Sequence, residues 1–345
     1  MVRMVDLEHE NIVTGGEQGL LEWPHEPDEN GLYPATLNDE NDDMQHYWIR
    51  DNYFIYRAIG DERIPEAFAE IVDRHGEKID AALEGDTVPA EDPLHIKYGR
   101  DLEEVNDEWG HFQIDSYAQM LEVLAENDYM DRAGKVHDYI SEIDRFHWDE
   151  GPWENDHREE YAYSHAQVAK ALQTYSEKGG NVPQEQIDFH VEKVHELAPQ
   201  EDLHDLLILY DEPDFVDEEL RDEILMSVEP LVGPHGVKRF RGDRWSGIHH
   251  YEEDREEPQW NFGHLLMYQV TGEDRYLKRQ RQIREEHGGI PESMEDHGGE
   301  YRGNVNTPLL WAEALYFEAE RDHAAEQADF MDRQSELPDV PGEAF

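Results

Sequence analysis

Apolar residues recur at intervals of three and four along most of this chain, and the strict alternation that marks a half-buried strand is almost absent. Tyr47, Trp48, Phe54, Ile55 and Ala58 fall on such a spacing and predict a helix whose first turns carry Arg50 and Asp51. Gly60-Asp61 ends it, and residues 64–83 give a second helix. The same reading predicts a third running from the segment 109–115 through Leu124, then helices over 130–146, 163–175, 184–197 (opened by Pro183), 204–209 and 217–228. Residues 260–270 and 274–286 pair as two more, and a last helix starts at 307–311 and runs to about Glu320. The expectation is an all-α chain of about eleven or twelve helices joined as hairpins.

Residues 1–42, rich in Glu, Asp, Asn and Gly, read as an irregular acidic lead-in, 43–325 as the helical domain, and 326–345 as a polar tail that does not pack. Two loops, 85–107 and 233–260, are long enough to suggest a role. Distinctive aromatic and ionisable residues fall at the starts of the odd-numbered helices, whereas the even-numbered ones read as amphipathic cover. If the odd helices form an inner ring, their leading loops meet at one end. That would gather Arg50, Asp51, Trp109, Glu154, Trp260 and Glu292 around one pocket.

Composition narrows the setting. With 84 Asp+Glu against 29 Lys+Arg, the formal charge is −55. Self-repulsion of that size opposes a compact state in dilute buffer, and a Debye length of about 3 Å at molar salt relieves it. A salt-adapted cytoplasm is the expected setting. Such a field repels nucleic acid and anionic membranes, so neither is an expected partner. The regular apolar spacing and 37% hydrophobic content argue against a disordered acidic chain. There is no Cys for disulfide or thiolate chemistry, and no segment reads as a secretory signal or a bilayer span, so the chain reads as soluble and cytosolic.

Two glutamates stand out from the acidic background. Glu154, after Gly151-Pro152-Trp153, and Glu292, after Gly289-Ile290-Pro291, each sit on a short Gly/Pro-marked loop beside a helix. A carboxyl held on such a turn is placed by the backbone, and two of them can supply the acid and base that a glycosidic bond requires. Around them, His46-Tyr47-Trp48-Ile49-Arg50-Asp51-Asn52, Trp109-Gly110-His111-Phe112-Gln113-Ile114-Asp115, Gly151-Pro152-Trp153-Glu154, Tyr163-Ser164-His165, and Ile290-Pro291-Glu292 with Thr307-Pro308-Leu309-Leu310-Trp311 occur in order. Together they resemble the glucoamylase-type glycoside hydrolases, family 15, and the related glucoamylase-like region of phosphorylase kinase regulatory subunits. The resemblance implies an (α/α)6 barrel, hydrolysis of α-linked glucosides with inversion at the anomeric carbon, and no metal or organic cofactor.

By position, the resemblance gives Glu154 as general acid and Glu292 as general base. Arg50 and Asp51 would bind the hydroxyls of the innermost sugar, with Trp109 beside it. The chemistry agrees: Pro152 and Trp153 could desolvate Glu154 and raise its pKa, and an inverting pair stands ~6.5–9.5 Å apart to admit a water. Trp260 fits a core position as well as a sugar-facing one, and Trp311 reads as packing. Ser293 stands where the family commonly has Gln, which puts that contact in question, and the β-rich N-terminal domain of many prokaryotic relatives is missing. The compact barrel favours a small oligosaccharide or disaccharide substrate over starch. His249-His250 with nearby acids matches no defined metal spacing, and His204-Asp205 reads as structural or supporting. A non-catalytic glucan-binding or regulatory module is the alternative function.

Overall fold

The computed structural model describes residues 23–38, 42–105, 110–143, 148–153, 159–211, 213–243, 257–297 and 300–335. Trp109, Glu154 and the His249-His250 pair lie outside them. Among the described residues there are twelve α-helices: α1 (Ile49–Ile59), α2 (Arg63–Arg74), α3 (Gly76–Glu84), α4 (Ile114–Glu126), α5 (Met130–Ile143), α6 (Ala162–Glu177), α7 (Gln184–Leu197), α8 (His204–Tyr210), α9 (Glu218–Val228), α10 (Asn261–Thr271), α11 (Asp274–His287) and α12 (Leu310–Ser335).

Six of these close a ring. Helix α1 packs on α4, α4 on α6, α6 on α8, α8 on α10, α10 on α12, and α12 returns to α1. The remaining helices cover it from outside, so the architecture is the (α/α)6 barrel of inner and outer helices. Burial follows that arrangement. Nearly every residue of α4 is buried, whereas α11 buries only Tyr276, Leu277, Gln280 and Ile283. At the centre, the Trp311 indole stacks between Phe54 of α1 (4.6 Å between ring centres) and Phe262 of α10 (4.4 Å).

Three details differ from the pattern-based reading. The helix expected over 64–83 is two, α2 and α3, which meet at His75-Gly76. The last helix continues past Glu320 to Ser335. Short strands are also present: β1 (Tyr47–Trp48) pairs antiparallel with β2 (Lys97–Tyr98), and β3 (Gln259–Trp260), β4 (Ser293–Asp296) and β5 (Tyr301–Gly303) form a three-stranded sheet. Strands of two to four residues are too short to display a clear alternation, so no period betrays them. Their position matters, because β1 leads into Arg50 and Asp51, β3 ends on Trp260, and β4 begins immediately after Glu292.

The opposite end of the ring is sealed by charge. Lys170 of α6 reaches Asp211 at 2.9 Å and Glu122 of α4 at 3.0 Å, and Arg57 of α1 reaches both at 3.3 Å. The two carboxylates are almost fully buried, and Tyr53 also bonds to the network. Both cations face both carboxylates and pull against the desolvation of these anions, although burial still leaves the Glu122 carboxyl above its usual pKa.

Candidate active site

At the strand-bearing end, the loop from Ile290 to Glu292 is tied on both sides. Ile290 N–H donates to the Glu313 carboxylate and Ile290 O accepts from Leu309 N–H, while Glu292 N–H donates to Asn306 O and Glu292 O accepts from Asn261 N–H. The Asn261 amide donates to Pro291 O at 2.7 Å. This fixes a glutamate that is only 8% exposed.

The Glu292 carboxylate has an unequal environment. The side-chain amides of Asn304 (2.9 Å) and Asn306 (2.6 Å) both donate to Oε2. No donor among the described residues reaches Oε1. Burial pushes the carboxyl up to about 7; the two asparagine donors and the Arg239 charge pull against that rise, and the Asp51 carboxylate adds to it. A carboxyl near the midpoint of its titration at neutral pH, with one oxygen anchored, suits the removal of a proton from a water.

Arg50 is buried at the start of α1, donates to the Gln113 side-chain Oε1 at 3.1 Å and lies 5.9 Å from the Trp311 ring. Asp51 beside it is buried too and close enough for its charge to act on Glu292. Trp153 is held edge and face: its Nε1–H donates to Asp202 at 2.9 Å, and its ring stacks on His204 at 4.3 Å. Burial, then the Arg50 and Arg239 charges, keep His204 well below its usual pKa, so this ring is neutral. Burial also pushes Asp202 up to about 7.

Trp260 stands 5.7 Å from Trp153, and the Arg239 guanidinium lies over both rings, at 5.6 Å from Trp153 and 4.6 Å from Trp260. Arg239 is locked by a two-pronged bond to Asp243, 2.7 Å on each arm, and Asp243 also accepts from Trp260 Nε1–H at 3.2 Å. Backbone bonds between Val237 and Trp260 in both directions hold this loop against β3. Trp260 is buried, as the core reading has it, and it also stands beside Trp153.

The segment that carries Trp153 is anchored from below. Asp149 accepts from Ile114 N–H (2.9 Å), Ser164 Oγ–H (2.8 Å) and Gly151 N–H (3.1 Å), and its backbone bridges Glu159 in both directions. Burial, then the Asp115 charge, push Asp149 up to about 8. Asp149, Ser164, His165 and His190 line a cavity of about 20 Å³ beneath it, room for about one water.

Five of the seven sequence-named residues, Arg50, Asp51, Trp153, Trp260 and Glu292, thus share one neighbourhood; Trp109 and Glu154 lie outside the described residues. Pattern reading missed Arg239, Asp243, Gln113, Asn304 and Asn306. Arg239 and Asp243, four residues apart in a suspiciously long loop, carried a faint signal; the asparagines carried none. Ser293, in the place of the expected Gln, has its hydroxyl buried on β4 with no hydrogen-bond partner among the described residues, and its backbone carbonyl accepts from Asn304. Among the described residues no group of three or more His, Asp or Glu side chains could hold a metal, and no helix is long and apolar enough to cross a membrane.

Comparison with known proteins agrees with the motifs. Residues 25–177 match the model of glycosyl hydrolases family 15. No curated protein matches the chain. Among solved structures, a wild-type glycosidase superposes with a TM-score of 0.65 at 17% identity, covering 86% of this chain and 92% of its own. A bacterial glucoamylase complexed with acarbose gives 0.59 at 15% identity over 86% of this chain, which spans 53% of that longer protein. A glucoamylase from Saccharomycopsis fibuligera gives 0.57 at 12% identity, covering 87% of this chain and 90% of its own. At these identities the superpositions speak for the fold.

Proposed function

For a relative of the glucoamylase-type glycoside hydrolases of family 15, we propose inverting hydrolysis of α-glucosidic bonds in small oligosaccharides, with Glu292 as general base and Glu154 as general acid. The observation that carries this reading is the Glu292 carboxylate. It is anchored through Oε2 by two asparagine amides, is poised near pH 7, and has no donor on Oε1 among the described residues. In this mechanism Oε1 takes a proton from a water that attacks the anomeric carbon, and Glu154 gives its proton to the departing glycosidic oxygen. Asp51, whose charge acts on Glu292, and its buried neighbour Arg50 offer an acceptor and a rigid donor fork for sugar hydroxyls. Trp153 and Trp260 present apolar faces to the pyranose. The acarbose bound by the bacterial glucoamylase is an oligosaccharide ligand of the kind expected here.

The proposed setting is a salt-rich cytoplasm without nucleic-acid or membrane partners, which the formal charge of −55 supports. The test is incubation with maltose, isomaltose, trehalose and dextrin in multimolar KCl, with NMR of fresh product. Release of β-glucose first supports the proposal. Release of the α-anomer first rejects inversion, and sugar binding without turnover would instead favour a glucan-binding module. Glu154→Gln and Glu292→Gln are each expected to lower kcat by at least ~10²-fold with KM within a small factor.

A further inference from the structure

The base loop is held from behind by a charged pair that the mechanism does not use. Glu313, in the first turn of α12, is 2% exposed. Its Oε1 accepts from Ile290 N–H at 2.6 Å, two residues before Glu292. Arg284, in the last turn of α11, donates through Nε to Oε2 at 2.9 Å and to Oε1 at 3.2 Å. The Arg284 guanidinium lies 5.2 Å from the Tyr316 ring, one turn further along α12. An outer helix, an inner helix and the loop are joined through one carboxylate.

The loop has little freedom apart from this bond. Gly289 approaches Pro308 so closely that a Cβ would stand 2.8 Å from the Pro308 Cβ. Ile290 O, Pro291 O, Glu292 N and Glu292 O are each bonded to neighbouring backbone or to Asn261. Of the five backbone groups fixed between Ile290 and Glu292, Ile290 N is the one held by an ionisable side chain. Its partner sits on the same helix as Trp311, over which Arg50 lies.

We propose that Glu313, with Arg284 as its counter-ion, is a positioning residue for the general base: it sets where Glu292 stands relative to Asn304, Asn306 and the Arg50-Asp51 pair. This rests on the reading of Glu292 as base. When the bond from Ile290 is lost, the loop relaxes away from α12 and the two asparagine amides hold Oε2 less well. A misplacement near 1 Å costs on the order of 10²-fold in rate. Weaker donation to the ionised form also raises the carboxyl pKa, so the acidic limb of the rate profile moves to higher pH.

The test compares Glu313→Ala, Glu313→Gln and Arg284→Met with the parent and with Glu292→Gln, well below each melting temperature in multimolar KCl. Glu313→Ala is expected to lose roughly 10²-fold in kcat with KM within a small factor, and to shift the acidic limb upward. Glu313→Gln, which keeps an acceptor for Ile290 N–H, is expected to recover most of that loss. If Glu313→Ala does not fold, Arg284→Met carries the same test, with a smaller shift in the same direction. Melting temperatures that fall while kcat and the limb stay put would reduce Glu313 to a structural residue and overturn the proposal. An active Glu292→Gln would remove the base itself, which separates failure of the underlying reading from failure of the positioning role.

Discussion

Glu292 shows how little a residue's type says about its chemistry. It is one of 84 acidic residues, and its raised pKa comes from burial, moderated by two asparagines and Arg239. Removing one asparagine should therefore move the titration in a known direction. Asn306→Ala deletes a 2.6 Å donor to the ionised form, so the carboxyl pKa rises and the acidic limb of kcat/KM shifts above its parent position near pH 7. A limb that stays fixed across a pH series would disconnect Asn306 from the base. At this scale the motifs singled out Arg50, Asp51 and Glu292, all three of which are buried. Asn304 and Asn306 were silent, because a surface loop and a loop folded over a carboxylate share the same composition.

The elements were legible where they were long. Helical periodicity located the inner helices because each repeats over two or more turns, and the alternation of marked and plain helices anticipated the ring. The two-residue strands escaped, although they aim the site: register sets Trp260 opposite Ser293 and Trp48 opposite Lys97. Trp311 links the helices to the site, since it stacks on α1 and α10 and lies under Arg50. Trp311→Ala should destabilise the protein by about 3–5 kcal/mol, measured by denaturant unfolding in concentrated KCl. A loss below about 1 kcal/mol would mean that the ring closes without this stack.

For the whole molecule, charge dominates. The excess of 55 negative charges should make the melting temperature climb as KCl rises from millimolar to molar, until screening is complete. A flat melting temperature over that range would remove self-repulsion as a reason to expect salt adaptation. The pH dependence comes instead from buried groups. Asp149, Glu292 and Asp202, raised to about 8, about 7 and about 7, bind protons more tightly folded than unfolded, so their contribution is present at low pH and is lost as pH rises through those values. His95 and His264, each lowered to about 4, act oppositely, costing stability as pH falls below 6.5. Above about pH 7.5 histidines are neutral folded and unfolded, so among the described residues the buried carboxyls remain, Asp149 foremost, and stability should decline from there to about pH 8.5 at fixed salt. Thermal melts showing a rise there would contradict the buried-carboxyl account.

What the sequence determined by itself was the all-helical architecture, the alternation of inner and outer helices, and the loops where chemistry gathers. Those depend on periodicity and on Gly and Pro, which act within a few residues. Only the tertiary structure decided that Arg239 lies across two tryptophans, that two asparagines hold one oxygen of Glu292, and that Glu313 grips the same loop from α12. These contacts join positions a dozen or more residues apart, beyond the reach of a helical turn, and such pairings are set by how helices and loops pack around a ring, a geometry that no local pattern of side chains encodes.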